Sequence, residues 1–186
     1  MLSSFFREAR SWCYGRSPYL RAVLLLFFAY IGVRHILDSR YNSIFFGLNL
    51  GIHECGHFAF GLLGEFIGIA GGSIMQCLIP ILSIGMFYKQ RDFFAIAIAF
   101  GWLATNLFYV ATYIADARAM ALPLVSPFGA ECVHDWNYLL GRMGILEWDG
   151  TIAFFVRVIA VGCIAVCLAF GGWLLKNMLY YEDVEE

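Results

Sequence analysis

LGIHECGHFAFG, residues Leu50 to Gly61, sets two histidines and a glutamate into an otherwise apolar, glycine-dotted run. On an α-helix, His53 and His57 stand one turn apart and about 40° apart around the axis, so both imidazoles converge on one point. Glu54 projects from the neighbouring face and reaches a water held there without being a ligand. This is the HExxH arrangement, usually a zinc motif because neutral imidazole suits that ion and the ion keeps a position open for water. Ionisable groups inside an apolar helix cost several kcal/mol unless they are partnered. A shared ion removes that cost. The competing reading has the two histidines and Glu54 satisfying one another and nearby carbonyls.

The rest of the chain makes the apolar context explicit. Its 186 residues are 61% hydrophobic, 18% aromatic and only 14% charged, with a mean hydropathy of +0.74. Too little charge is available to cover a soluble domain of this size, so the expected solvent is lipid and the expected class an all-α integral membrane protein of one domain. The formal net charge of −2 and the lack of a lysine/arginine cluster exclude a nucleic-acid partner. Of the six cysteines, Cys55, Cys77, Cys163 and Cys167 lie in apolar runs and read as small packing groups. Cys13 and Cys132 lie outside those runs.

Five segments have about the length needed to cross a bilayer: Tyr19–Leu37, Ser43–Ile69, Ser73–Tyr88, Phe93–Ala115 and Thr151–Leu175. Pro80 interrupts the short third one, which reads as kinked or re-entrant. GIAGGS (Gly68–Ser73) supplies the break before it. Residues 1–18 form an N-terminal interfacial segment with Leu2, Phe5, Phe6, Ala9, Trp12 and Cys13 at helical spacing, and packing on the rest of the protein is its alternative. Arg7, Arg10, Arg16 and Arg21 precede the first apolar run, and no small-residue cleavage site follows it, so it reads as an uncleaved span. These arginines put the N-terminus inside, yet five crossings would leave Lys89 and Arg91 outside. A re-entrant third segment would remove that conflict. Residues 116–150 form a polar link in which Val133, Trp136, Leu139, Leu140 and Met143 fit a short amphipathic helix, with Gly144 as its stop. Residues 176–186 form an acidic tail. Gly47, Gly51, Gly61, Gly64 and Gly68 offer close-approach positions to neighbouring helices.

A catalytic zinc normally takes three protein ligands. The preferred third ligand is His134, with Asp135 as its orienting acid; Asp135 itself, Asp116 and Asp149 are the alternates. His35 reads as an interfacial histidine and Cys132 as a bystander. Glu65 is a pore-lining or boundary acid.

A transmembrane HExxH followed by further apolar segments and an aspartate resembles the site-2 protease group of intramembrane zinc metalloproteases. That resemblance implies His53 and His57 as zinc ligands, Glu54 as the acid–base catalyst, a later aspartate as third ligand, and a membrane-anchored protein or peptide as substrate. The family's asparagine and Asp-Gly motif is present only in fragments, as Asn106 with Asp116 and as Asp149-Gly150. The layout HECGH, GGSxMQ (Gly71–Gln76), YIADARA (Tyr113–Ala119) and HDWNYLLGRxG (His134–Gly144) is also similar to small uncharacterised bacterial membrane proteins. That likeness implies the bacterial inner membrane and one site or one structural unit for HDWN and YIADAR. The expected function is thus a membrane-embedded zinc hydrolase, most simply a protease; the alternative is a non-hydrolytic metal protein such as a transporter, sensor or scaffold.

Overall fold

The computed structural model describes residues 2–123 and 133–185, with backbone alone for residue 2 and residues 181–185. All regular structure among them is helical: α1 (Leu2–Trp12), α2 (Tyr19–Leu37), α3 (Phe46–Gly61), α4 (Glu65–Gln90), α5 (Phe93–Ala115), α6 (Asp135–Arg142), a 3-10 turn (Leu146–Trp148) and α7 (Asp149–Glu185). Four helical stretches are long and apolar enough to cross a membrane: Tyr19–Leu37, Glu65–Gln90, Phe93–Ala115 and Leu146–Tyr180. The helix that carries HECGH is not one of them. At 16 residues, α3 is about 24 Å long, short of the roughly 20 residues a crossing needs.

The break in the apolar sequence therefore lies elsewhere than expected. It falls at Leu62–Gly64, where Gly64 adopts φ 101° and ψ 163°, a conformation essentially reserved for glycine. GIAGGS, expected to be the break, lies inside α4. The segment after it is no short re-entrant piece but part of a 26-residue helix that passes continuously through Pro80. The incomplete segment is the second one. Likewise the last span does not stop at Leu175: α7 runs on to Glu185, so residues 176–185 extend the helix rather than forming a separate tail. Cys132 and Pro127 lie outside the described residues.

Helix α5 is the axis of the bundle, with two-thirds of its most apolar window buried. At one end Ala9 and Cys13 pack against Phe93, Phe94, Leu174 and Met178, and Glu8 pairs with Arg91. So α1 docks onto the protein through its apolar stripe. Burial pushes the Cys13 thiol up to about 11 despite Arg16 and Arg21 nearby, which leaves it a packing group. The middle is built from Leu25, Phe28, Ala104, Phe108, Ala160 and Ile164. At the far end Val110, Ile114 and Ala117 meet Leu140 of α6 and Ala153 of α7.

Helices α3 and α4 form a tight antiparallel hairpin. Of the run expected from sequence, Gly68 is a close-approach position, its added Cβ falling 3.1 Å from Gly61 Cα, whereas a Cβ at Gly47, Gly51, Gly61 or Gly64 would meet nothing. The tightest approach lies elsewhere. It is made by Gly56, whose added Cβ would fall on the Gly71 carbonyl, and Gly71, whose Cβ would lie 2.6 Å from Phe60 Cβ. Because the obstacle at Gly56 is backbone, Gly56→Ala should force the helices apart and cost about 1–3 kcal/mol, read as a lower unfolding midpoint in detergent. The other side of α3 is tied to α5 through polar groups in an apolar surrounding. Trp102 Nε1–H donates to Asn49 Oδ1 at 2.9 Å, and Asn49 Nδ2 donates to Thr105 Oγ1 at 3.3 Å. Asn49 is fully buried, and these bonds offset its desolvation.

Candidate metal centre

The face of α3 between these two anchors carries the histidines. His57 Nδ1 lies 2.9 Å from the Gly68 carbonyl, which can only accept, so His57 carries its proton on Nδ1. His53 Nδ1–H donates to Gln76 Oε1 at 3.1 Å. Both rings are thereby held with Nε2 facing a common point, and their second nitrogens are oriented as in metal-binding histidines.

The third group at that point is Asp135. Its Oδ2 lies 2.9 Å from His53 Nε2 and 3.3 Å from His57 Nε2, and the three ligand atoms all lie within 4.8 Å of one another. Around a tetrahedral ion with bonds of about 2.1 Å, ligand atoms stand about 3.4 Å apart. The spacing fits. His53 and Asp135 are 7% and 6% exposed, so water does little to screen the group. Burial alone pushes the Asp135 carboxyl up, but the hydrogen bonds and charges of His53 and His57 together bring it below its ordinary range.

His134, expected as the third ligand, is placed otherwise. It is the N-cap of α6, and its Nδ1 accepts from the Asn137 N–H at 3.2 Å. Its Nε2 faces Asp116 Oδ2 at 3.3 Å. Both ring nitrogens are occupied, and the neighbouring residue, about 100° around the helix, takes the position facing the histidines. Asp116 is a turn cap that accepts from the N–H groups of Ala121 and Leu122. Asp149 pairs with Arg118 at 2.8 Å. His35 is buried rather than interfacial, stacked on Phe108 and edge-on to Tyr41 and Tyr109. Cys55 is exposed, not a packing thiol.

Helix α6 is fixed by its own set of bonds. The Asp135 N–H donates to Tyr113 Oη at 3.1 Å, Trp136 Nε1–H to Ser73 Oγ at 3.1 Å, and Asn137 Nδ2 to the Ala117 carbonyl at 2.8 Å. HDWN thus joins α6 to α4 and α5. Gln76, Ser73, Tyr113 and Gly72 were not identified from sequence as site residues. Gly72 lies against the Nε2 edges of both rings: a Cβ there would come within 2.6 Å of His53 Nε2 and 2.7 Å of His57 Nε2. The signal was a serine and a glutamine within four residues of a glycine pair in an apolar run.

Glu54 lines a cavity of about 590 Å³ together with His53, His57, Gln76, Tyr113 and Asp135. Among the described residues it has no hydrogen-bond or ion-pair partner. Glu65, on α4 rather than α3, lines the same cavity and bonds Tyr138. Comparison with protein-family models, curated proteins and solved structures returned no match.

Proposed function

We propose that the protein is a membrane-embedded zinc hydrolase, most simply a protease of membrane-anchored polypeptides, with His53, His57 and Asp135 as ligands and Glu54 as acid–base catalyst. One observation carries the reading. With Nδ1 of His57 bonded to Gly68 and Nδ1 of His53 to Gln76, both Nε2 atoms are turned toward one carboxylate oxygen of Asp135. With neutral imidazoles a cation shared by the three atoms satisfies them together, and two imidazoles with a carboxylate are a donor set for a divalent ion of zinc's kind.

A zinc ion held there lowers the pKa of a bound water toward neutrality and polarises a carbonyl. The chain's own residues supply the rest. Gln76 and Gly68 fix the two imidazoles, Tyr113 and Ser73 hold α6 so that Asp135 stays in place, and Gly72 leaves room for both rings. Glu54 takes a proton from the water on its free carboxylate and returns it to the leaving group. In the hydrolase reading this carboxylate has a defined role as the proton carrier. The resemblance to site-2 proteases supports peptide hydrolysis, and the likeness to small bacterial membrane proteins supports a bacterial inner-membrane setting. Protein purified in detergent is expected to hold about one zinc per chain and to cleave a membrane-anchored reporter peptide. Activity should disappear with a zinc chelator and return with added zinc. Activity that survives metal removal would contradict the proposal.

A further inference from the structure

We infer that the site takes its substrate from the non-cytoplasmic side of the membrane. The inference rests on the proposed membrane reading and site, but its test does not depend on whether a metal binds. The packing described above sorts the chain into two ends. The turn between α4 and α5 lies with α1 and the distal part of α7, since Arg91 pairs with Glu8 and Phe93 packs with Ala9 and Met178. At the other end the α2–α3 loop meets the end of α5, where Thr112 Oγ1 donates to the Ser39 carbonyl at 2.7 Å. The start of α7 is there too, through Arg118 and Asp149, as is the α3–α4 turn, through Glu65 and Tyr138.

The two ends differ in basic charge. The first has Arg7, Arg10 and Arg16 ahead of α2, Arg21 in its first turn, Lys89 in the last turn of α4, Arg91 just after it, and Lys176 on α7. The second has Arg34, Arg40, Arg118, Arg142 and Arg157, which completes the twelve Lys and Arg of the chain. The bias is clearest where it counts most: three arginines precede the first long helix and a fourth, Arg21, lies in its first turn, against Arg34 in its last turn and Arg40 just beyond it. The α4–α5 turn carries two basic residues, whereas the Leu62–Gly64 turn carries none. With α3 only a partial crossing, Lys89 and Arg91 stand at the same end as the N-terminal arginines, so the conflict raised by five crossings disappears. The basic end is then cytoplasmic. The cavity lies at the opposite end and in the middle of the bundle. Its lining runs from Ser39, Arg40 and Asn42 past the histidines to Gly64 and Glu65, with Leu122 and Pro123 of the link, and includes no residue of the basic end. The cavity that holds Glu54 thus faces the end opposite Arg91 and the N-terminal arginines, and a substrate is expected to enter from there.

The test is sidedness in intact cells. In the full chain carrying Cys55→Ser, Asn42→Cys and Gln90→Cys are made separately, both at exposed positions, with the parent as blank. A membrane-impermeant sulfonated maleimide should label Asn42→Cys equally before and after permeabilisation, and Gln90→Cys only after it. The reverse pattern, or labelling of both from outside, would overturn the inference. Fusions to the C-terminus of the unmutated chain give an independent reading. A fluorescent protein should be bright there and alkaline phosphatase inactive; active phosphatase would overturn it as well.

Discussion

Glu54→Gln is expected to leave the fold and metal content unchanged and to lower the rate of hydrolysis by about 10²–10⁴-fold. The amide has the shape of the carboxylate but accepts no proton at neutral pH, so only the proton-transfer role is lost. Glu54 has no hydrogen-bond or ion-pair partner among the described residues and lies in a cavity lining rather than a packed core. Removing its charge therefore breaks no structural contact. The measurement is the initial rate on a membrane-anchored reporter in proteoliposomes, beside zinc content and thermal midpoint. A variant that keeps its rate would remove Glu54 from the chemistry. One that loses zinc would make it a ligand or a support.

The second large effect concerns a residue with no functional group. Gly72→Ala should weaken zinc affinity by about 10–100-fold, the size of effect typical of disturbed support around a metal site. The added carbon would lie 2.6 Å from His53 Nε2 and 2.7 Å from His57 Nε2. Those atoms are the tips of side chains that can rotate away, whereas Gly56→Ala meets backbone. The two substitutions should therefore separate cleanly. Gly72→Ala loses metal with little change in unfolding midpoint, and Gly56→Ala loses stability first. Titration of metal-free protein with zinc in detergent, alongside thermal unfolding, distinguishes them. Unchanged zinc affinity in Gly72→Ala would mean the imidazoles do not meet the ion through Nε2.

The helical, apolar character of the chain was legible because composition and segment length report it directly. His53, Glu54 and His57 were legible as a unit because their spacing on one helix is local. Asp135 was harder to read. Which of two adjacent residues faces the histidines depends on where α6 begins. His134 serves as N-cap and binds Asn137, a role that neither its identity nor its spacing reveals. The helix break was misplaced for a related reason. Gly68, Gly71 and Gly72 look like a helix end, but in α4 they are buried against α3, where small size matters more than flexibility. Only Gly64, with its positive φ, uses glycine's conformational freedom there. Pro80 misled in the same direction. It removes one backbone donor from α4, and a long apolar helix packed on both α3 and α5 tolerates that loss.

The central claim is that one ion is shared by His53, His57 and Asp135. Metal analysis of detergent-purified protein tests it most directly, with wild type, Asp135→Ala and His134→Ala prepared in parallel. The expected result is about one zinc per chain in wild type and in His134→Ala, and loss of zinc in Asp135→Ala with the protein still helical and monodisperse. Wild type without stoichiometric metal, or zinc lost with His134 and kept without Asp135, would contradict it.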